Sequence, residues 1–198
     1  KGPKTDVYSS IDVSVAFLQS LEYNPNDKPR YVYYKPSTTS TPQYYRLRGP
    51  IYGQRIASKA WYNTLVAYLI SQGFQQGKND PCVFHHPVTK LTVVSWVDDL
   101  LVRGSESASH QFYDALARRF DCKDPSYLDY DSPMHFLGLD ITLTKDDFSD
   151  IISINQCESI SEFLSVNNAK PIYNISTPMS TSFIDPDSDV LDNASKVK

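Results

Sequence analysis

An α+β fold is expected for this chain: an antiparallel sheet with helices packed on one of its faces. Three observations predict it. Short runs rich in β-branched and aromatic residues, bounded by Pro, Gly, Asn and Asp, recur along the 198 residues. Two longer stretches repeat apolar residues three and four apart, the helical period. The elements then follow the order strand, helix, strand, strand, helix, hairpin, which is that of an α+β domain.

Residues 7–13 predict a strand ending near Asp12, and Ala16-Phe17-Leu18 a short helical turn. Asn24 to Arg30 is a loop with two prolines. Tyr31–Lys35 and Tyr44–Arg48 read as strands of a hairpin with a long Pro/Ser/Thr loop. Ala57, Ala60, Trp61, Leu65, Tyr68 and Leu69 predict a helix over about 55–72, with Gly53 before it and Gly73 after it as start and stop signals. Strands follow at Cys82–His86, Leu91–Val97 and Leu100–Val102. A second amphipathic helix spans Ser107–Phe120, with Ala108, Phe112, Leu116 and Phe120 on one face. Phe136–Thr142 and Ile151–Ile154 predict a hairpin, and a third helix covers about Cys157–Val166. From Asn167 the chain is rich in Ser, Pro and Asp without periodicity, so a linker is expected.

The length suffices for one domain with a real core, plus a tail. Apolar runs are too short to span a bilayer, and no signal-peptide pattern is present. The chain does not begin with Met and reads as a segment of a longer polypeptide. Cys82, Cys122 and Cys157 are odd in number, widely spaced and lack a CxxC, so free thiols in a reducing compartment are expected.

Net charge is −4, yet the charges are segregated. From Lys28 to Asn79 there are eight Lys or Arg and no Asp or Glu, while 121–198 holds fourteen acidic and five basic residues. The acid-free stretch also carries Tyr31, Tyr33, Tyr34, Tyr44, Tyr45, Tyr52, Trp61 and Tyr62. Interleaved cations and aromatics suit a polyphosphate backbone and stacked bases, and equally a solvated basic face over core tyrosines.

Asp98 and Asp99 sit between two apolar β-runs, at a tight hairpin. Like charges there repel, and partial desolvation raises the cost. A divalent cation would offset it, because hard cations take carboxylate oxygens. Asp is also a good turn residue, so the pair alone leaves both readings open. Asp12 ends an earlier strand. If that strand lies beside the hairpin, three carboxylates meet at one sheet edge, an arrangement for two cations roughly 3.5–4 Å apart and for phosphoryl transfer.

Six collinear boxes resemble the reverse transcriptases of copia-type retrotransposons. They are Asp12 to Leu18, Tyr45 to Gly53 with Ala57 to Tyr62, Gly73-Phe74 with Asn79 to Phe84, Trp96-Val97-Asp98-Asp99, Phe136 to Ile141, and Ser176-Thr177-Pro178-Met179. Together they cover about residues 7–180. The resemblance implies a polymerase palm with partial fingers over 1–155, the start of a thumb or connection over 156–180, and a linker over 181–198 toward an RNase H region. It implies RNA-directed DNA polymerase activity, adding deoxynucleoside triphosphates to a primer 3′-hydroxyl on an RNA or DNA template with two Mg²⁺, for which Mn²⁺ can substitute.

By the same resemblance, Asp12, Asp98 and Asp99 are the catalytic metal ligands, and Val13 lends its backbone carbonyl. Phe17 falls at the aromatic steric gate under the sugar. Gly53 approaches the nucleotide closely, and Lys123 lies near the triphosphate. Arg46, Arg48, Arg55 and Lys59 contact nucleic acid, as do Phe136, Leu137 and Gly138 in the primer-gripping hairpin. The implied partners are template, primer and the rest of a Pol polyprotein (fingers, RNase H, integrase), with no membrane; the implied location is the cytoplasm within a virus-like particle, or the nucleus. This chain departs from the family at Trp96, where Tyr is usual, and at Ser58, where a proline normally precedes the helix. A non-catalytic nucleic-acid-binding fragment or decayed copy that keeps the palm fold is the alternative.

Overall fold

The computed structural model describes residues 6–168 except 25, 27, 39, 147 and 148. The Ser176–Met179 box and the expected linker over 181–198 lie outside the described residues. In chain order the elements are β1 (Val7–Asp12), a 3-10 turn (Ala16–Gln19), β2 (Tyr31–Tyr34), β3 (Gln43–Arg46), α1 (Ala57–Ser71), β4 (Gln75–Gln76), β5 (Val83–His85), β6 (Thr92–Trp96), β7 (Asp99–Gly104), α2 (Glu106–Ala117), β8 (Ser126–Tyr127), β9 (Met134–Phe136), β10 (Leu139–Lys145), β11 (Asp150–Asn155) and α3 (Cys157–Val166). Two compact units divide at Cys157, and α3 lies almost wholly in the second.

The main sheet is antiparallel, in the order β4-β5-β6-β7-β1-β8. Strand alternation sorts its two faces. Phe84, Val93, Val102 and Ser9 form one buried row across four strands, and Ser95, Leu100 and Ile11 form the next. Against these rows pack Trp61, Leu65 and Leu69 of α1 and Phe112, Tyr113 and Leu116 of α2, so both helices share one face. At about 25 cal/mol per Å² of apolar surface removed from water, this shared core is the main stabilising feature. Ser9 is tolerated in it because its hydroxyl accepts a hydrogen bond from Tyr113 at 2.7 Å.

On the opposite face, Tyr8 and Leu101 pack against a smaller cluster of Leu128, Met134 and Ile141. That cluster belongs in part to a three-stranded sheet, β11-β10-β9. Here the structure corrects an expectation. Phe136–Thr142 is not one strand: the chain turns back at Leu137-Gly138, with φ of 53° and 74°, and Phe136 pairs with Leu139. Two consecutive positive φ values are those of a two-residue primed hairpin turn, and the glycine at the second position is what permits it. A third, isolated ribbon is formed by β2 and β3.

Helix termini follow their local chemistry. The Ser105 side chain caps α2 by accepting from the Ala108 amide at 3.4 Å. Gly73, at φ 91°, closes α1: its amide reaches Ile70 and the Phe74 amide reaches Leu69. Cys82, Cys122 and Cys157 are free thiols. No described helix is long and apolar enough to cross a membrane.

Candidate active site

The first strand does lie beside the aspartate hairpin. β1 and β7 pair antiparallel with Asp12 directly opposite Asp99, and the Val13 amide continues the ladder by donating to the Asp98 carbonyl at 2.8 Å. β6 and β7 are joined by only Val97 and Asp98, with Trp96 opposite Asp99. Residues opposite each other across a ladder point to the same side. Ile11 and Leu100 face the helices, so Asp12 and Asp99 face away from them, on the side of Tyr8 and Leu101.

The turn stores strain. Val97 adopts φ 55°, a left-handed conformation that is costly for a β-branched residue. A hydrogen bond from the buried Trp61 indole to the Val97 carbonyl, at 2.5 Å, holds the apex to α1. Trp61 in turn stacks edge-on against Phe120, with centroids 5.2 Å apart. The aspartate pair is therefore mounted on a turn that the core helix clamps.

On the other side of Asp12, the Val13 backbone bridges Cys122, and the Lys123 amide donates to the Asp12 carbonyl at 3.0 Å. This sets the Lys123 ammonium 3.3 Å from an Asp12 carboxylate oxygen. Burial holds the Asp99 carboxyl above the ordinary aspartate range, and the charges of Asp98 and then Asp12 push the same way, against the ammonium of Lys123. Burial, with Asp121 and Asp12, likewise pushes the Cys122 thiol up to about 11.

Three carboxylates against one ammonium leave the site with excess negative charge. The donors are hard oxygens, those of Asp12 and Asp99 on adjacent strands and that of Asp98 on the turn beside them, and Asp99 already resists ionisation. Donor chemistry and electrostatic load both fit Mg²⁺ or Mn²⁺. They fit a soft or nitrogen-seeking metal poorly.

Other residues singled out in the sequence are placed as follows. Phe17 is half-buried, packed on the main core and against the ring of Tyr52 at 4.9 Å. Gly53 has φ 86°, and a Cβ built there would meet nothing within 4 Å. Its glycine is thus demanded by the backbone and leaves open space above it. Arg55 and Lys59 lie with Trp61, Trp96 and Val97 around a cleft of about 520 Å³. Arg46 ends β3, and Arg48, two residues beyond it, pairs with Glu22 at 2.9 Å. Phe136 is half-buried, while Leu137 and Gly138 are exposed at the tip of the β9–β10 turn.

The sequence marks Trp61 as a helix core residue and as one of the aromatics of the basic stretch, but not as a partner of the aspartate turn. Its polar role on Val97 spans 36 positions and leaves no local signal. The pairing of Tyr52 with Phe17 was missed for the same reason.

Residues 4–181 match the family described as reverse transcriptase (RNA-dependent DNA polymerase). The chain is 29% identical over 180 residues to the retrovirus-related Pol polyprotein from transposon RE2 of Arabidopsis thaliana, covering 87% of this chain and 11% of that protein. The corresponding protein from transposon RE1 of the same plant is 28% identical over 186 residues, with the same coverage. The transposon Ty1-DR5 Gag-Pol polyprotein of Saccharomyces cerevisiae is 26% identical over 137 residues, 67% of this chain and 8% of that protein. The chain thus spans about a tenth of the length of these relatives. With its six boxes in order and the family matched along most of its length, the chain belongs to the reverse transcriptase (RNA-dependent DNA polymerase) family, in the branch of copia- and Ty1-type retrotransposon Pol polyproteins.

Proposed function

We propose that this chain is the palm, with part of the fingers and the start of the thumb or connection, of a retrotransposon reverse transcriptase. Its reaction is template-directed transfer of a deoxynucleotide to a primer 3′-hydroxyl. The observation that carries the reading is the register of Asp12 against Asp99 with Asp98 at the adjoining turn.

In this reading Asp12, Asp98, Asp99 and the Val13 carbonyl hold two Mg²⁺. When bound, such ions lower the pKa of the attacking hydroxyl and neutralise charge on the triphosphate. The protein's own part is positional. The Trp61–Val97 clamp fixes the aspartate turn, and the β1–β7 ladder fixes Asp12 against it. Lys123, which pairs with Asp12 in this structure, exchanges that partner for triphosphate oxygens when nucleotide enters. Phe17, backed by Tyr52, forms the floor on which a 2′-hydroxyl would clash. Gly53 leaves room for base and sugar.

Arg55 and Lys59 guide the phosphate backbone, joined by Arg46 and Arg48, and the Phe136-Leu137-Gly138 turn holds the primer strand. Template, primer and the other parts of a Pol polyprotein are the partners, in a cytoplasmic particle or the nucleus. Primer extension on an RNA template, beside an Asp98→Asn variant, tests the proposal. Extension that requires Mg²⁺ or Mn²⁺ and is abolished by the substitution is expected. Absence of extension even with upstream fingers sequence restored would overturn it in favour of a non-catalytic copy.

A further inference from the structure

Gln19 closes the turn that follows the first aspartate. Its side-chain nitrogen donates to the Ser14 carbonyl at 2.5 Å and to the Asp121 carbonyl at 3.0 Å. Its side-chain oxygen accepts from the Asp121 amide at 2.7 Å. The Asp121 carbonyl also takes the Ser14 amide, at 2.9 Å. One side chain thus ties together two segments 102 positions apart. The partners fix which way round the amide sits. Two carbonyls require its N–H groups, and one backbone amide requires its oxygen.

Each tied segment carries a group that the polymerase reading gives to the nucleotide. Phe17 lies two residues before Gln19, and Lys123 two residues after Asp121. The Lys123 ammonium is 3.3 Å from Asp12. Between Ser14 and Gln19 the backbone is strained. Val15 has φ 43° and ψ 40°, left-handed values that are costly for a β-branched residue. Such a conformation persists only where its surroundings over-determine it. Within the turn, the Leu18 amide donates to the Val15 carbonyl at 2.8 Å, and Ala16 is buried. The bond from Gln19 to Ser14 spans Val15 and closes the turn from outside.

We propose that Gln19 is a positioning residue for nucleotide selection. It holds the Phe17 turn against the Lys123 segment, so that the floor under the sugar and the cation at the triphosphate keep one spacing. A floor rejects a 2′-hydroxyl only if it does not yield to it. The Phe17 ring is backed by Tyr52 at 4.9 Å, but its backbone belongs to the strained turn. Without the tie, Val15 relaxes out of the left-handed region and carries Phe17 with it. The hydrogen bonds of Gln19 go to backbone, so it acts through Phe17 and Lys123. It is half-buried, so water replaces part of each lost bond and the effect is moderate. The inference rests on the polymerase reading for its substrate.

The test is single-nucleotide primer extension by the full chain with dCTP or CTP, comparing the parent with Gln19→Met. Methionine keeps the unbranched stem but removes all three hydrogen bonds. Discrimination, the ratio of kcat/KM for dCTP to that for CTP, should fall about 5-fold, the equivalent of one net hydrogen bond. The KM for dCTP should rise by more than kcat falls, because ground-state placement is what is lost. A general loss of structure would lower Tm and the active fraction but leave that ratio alone. Hydrogen exchange reads the turn without nucleotide: the Leu18 amide, which bonds to Val15 and not to Gln19, should lose protection in the variant. Asparagine adopts the left-handed region at lower cost than valine. Val15→Asn in the Gln19→Met background should therefore restore about half of the lost discrimination on a logarithmic scale. Parental discrimination in Gln19→Met, unchanged exchange at Leu18, or no recovery with Val15→Asn would each overturn the proposal and leave the polymerase reading standing. No extension from either protein, even with upstream sequence restored, overturns the polymerase reading and the sugar selection with it.

Discussion

Replacing Trp61 with Phe should separate the aspartate turn from the core helix that holds it. Trp61 is 1% exposed, and its indole is the described side chain that reaches the Val97 carbonyl. The hydrogen bond is worth about 1 kcal/mol net. Val97 is exposed, so water can reach the freed carbonyl and no larger burial penalty applies. Phe keeps a six-membered ring against Phe120 but removes roughly two methylene equivalents of buried surface, about 1.6 kcal/mol. The sum is about 2.5 kcal/mol, below the 3–5 kcal/mol or so typical of truncating such a residue to Ala. Urea unfolding reads it as a lower midpoint with unchanged slope. Released from its clamp, the strained Val97 turn should also exchange its amide hydrogens faster than the rest of β6 and β7. A loss under about 0.5 kcal/mol, the range of an ordinary surface substitution, with unchanged exchange at the turn would refute the clamp.

Asp99→Asn should stabilise the protein near neutral pH. A carboxyl whose folded pKa is raised contributes stability that is fully present below its unfolded value and is lost as pH rises through the folded one. The variant's advantage in Tm at pH 7 should therefore vanish below about pH 4, the unfolded aspartate range; a constant offset would refute the like-charge account. Phe17→Ala should relax discrimination against ribonucleotides in extension assays while costing stability on the order of 1–3 kcal/mol, since the ring is only half-buried; unchanged selectivity would leave Phe17 a packing residue. Ser105→Ala should lower stability by about 1 kcal/mol through loss of the α2 cap and leave kcat for extension unaltered. Raising Mg²⁺ to ten times its Kd should stabilise the parent by about 1.4 kcal/mol, and Asp12→Asn should remove most of that gain in calorimetry.

Much of the fold is legible in the residues themselves. β-branched and aromatic runs flanking Asp98 and Asp99 identified the hairpin because strand propensity and turn propensity change over within a few residues. Helical periodicity locates α1 and α2, because each repeats its apolar residues over three turns or so. The strands that escaped, β4, β8 and β9, are two or three residues long. They have no room for a period, and exist because a longer neighbour offers them a ladder. The break at Leu137-Gly138 escaped because a leucine at positive φ defies its own preference and is held by the pairing on either side.

By itself, then, the sequence determined the family, the α+β class and which side chains carry charge: these follow from residue identity and near-neighbour spacing. Only the tertiary structure decided which distant groups meet. Asp12 lies opposite Asp99, Lys123 on Asp12 and Trp61 on Val97 because sheet register and helix packing join segments far apart along the chain. Such contacts arise from burying one common core, and no local pattern encodes them. The ribbon tyrosines show the same division. Their abundance was evident from composition, but whether they lined a core or stood in water depended on what the rest of the chain left uncovered.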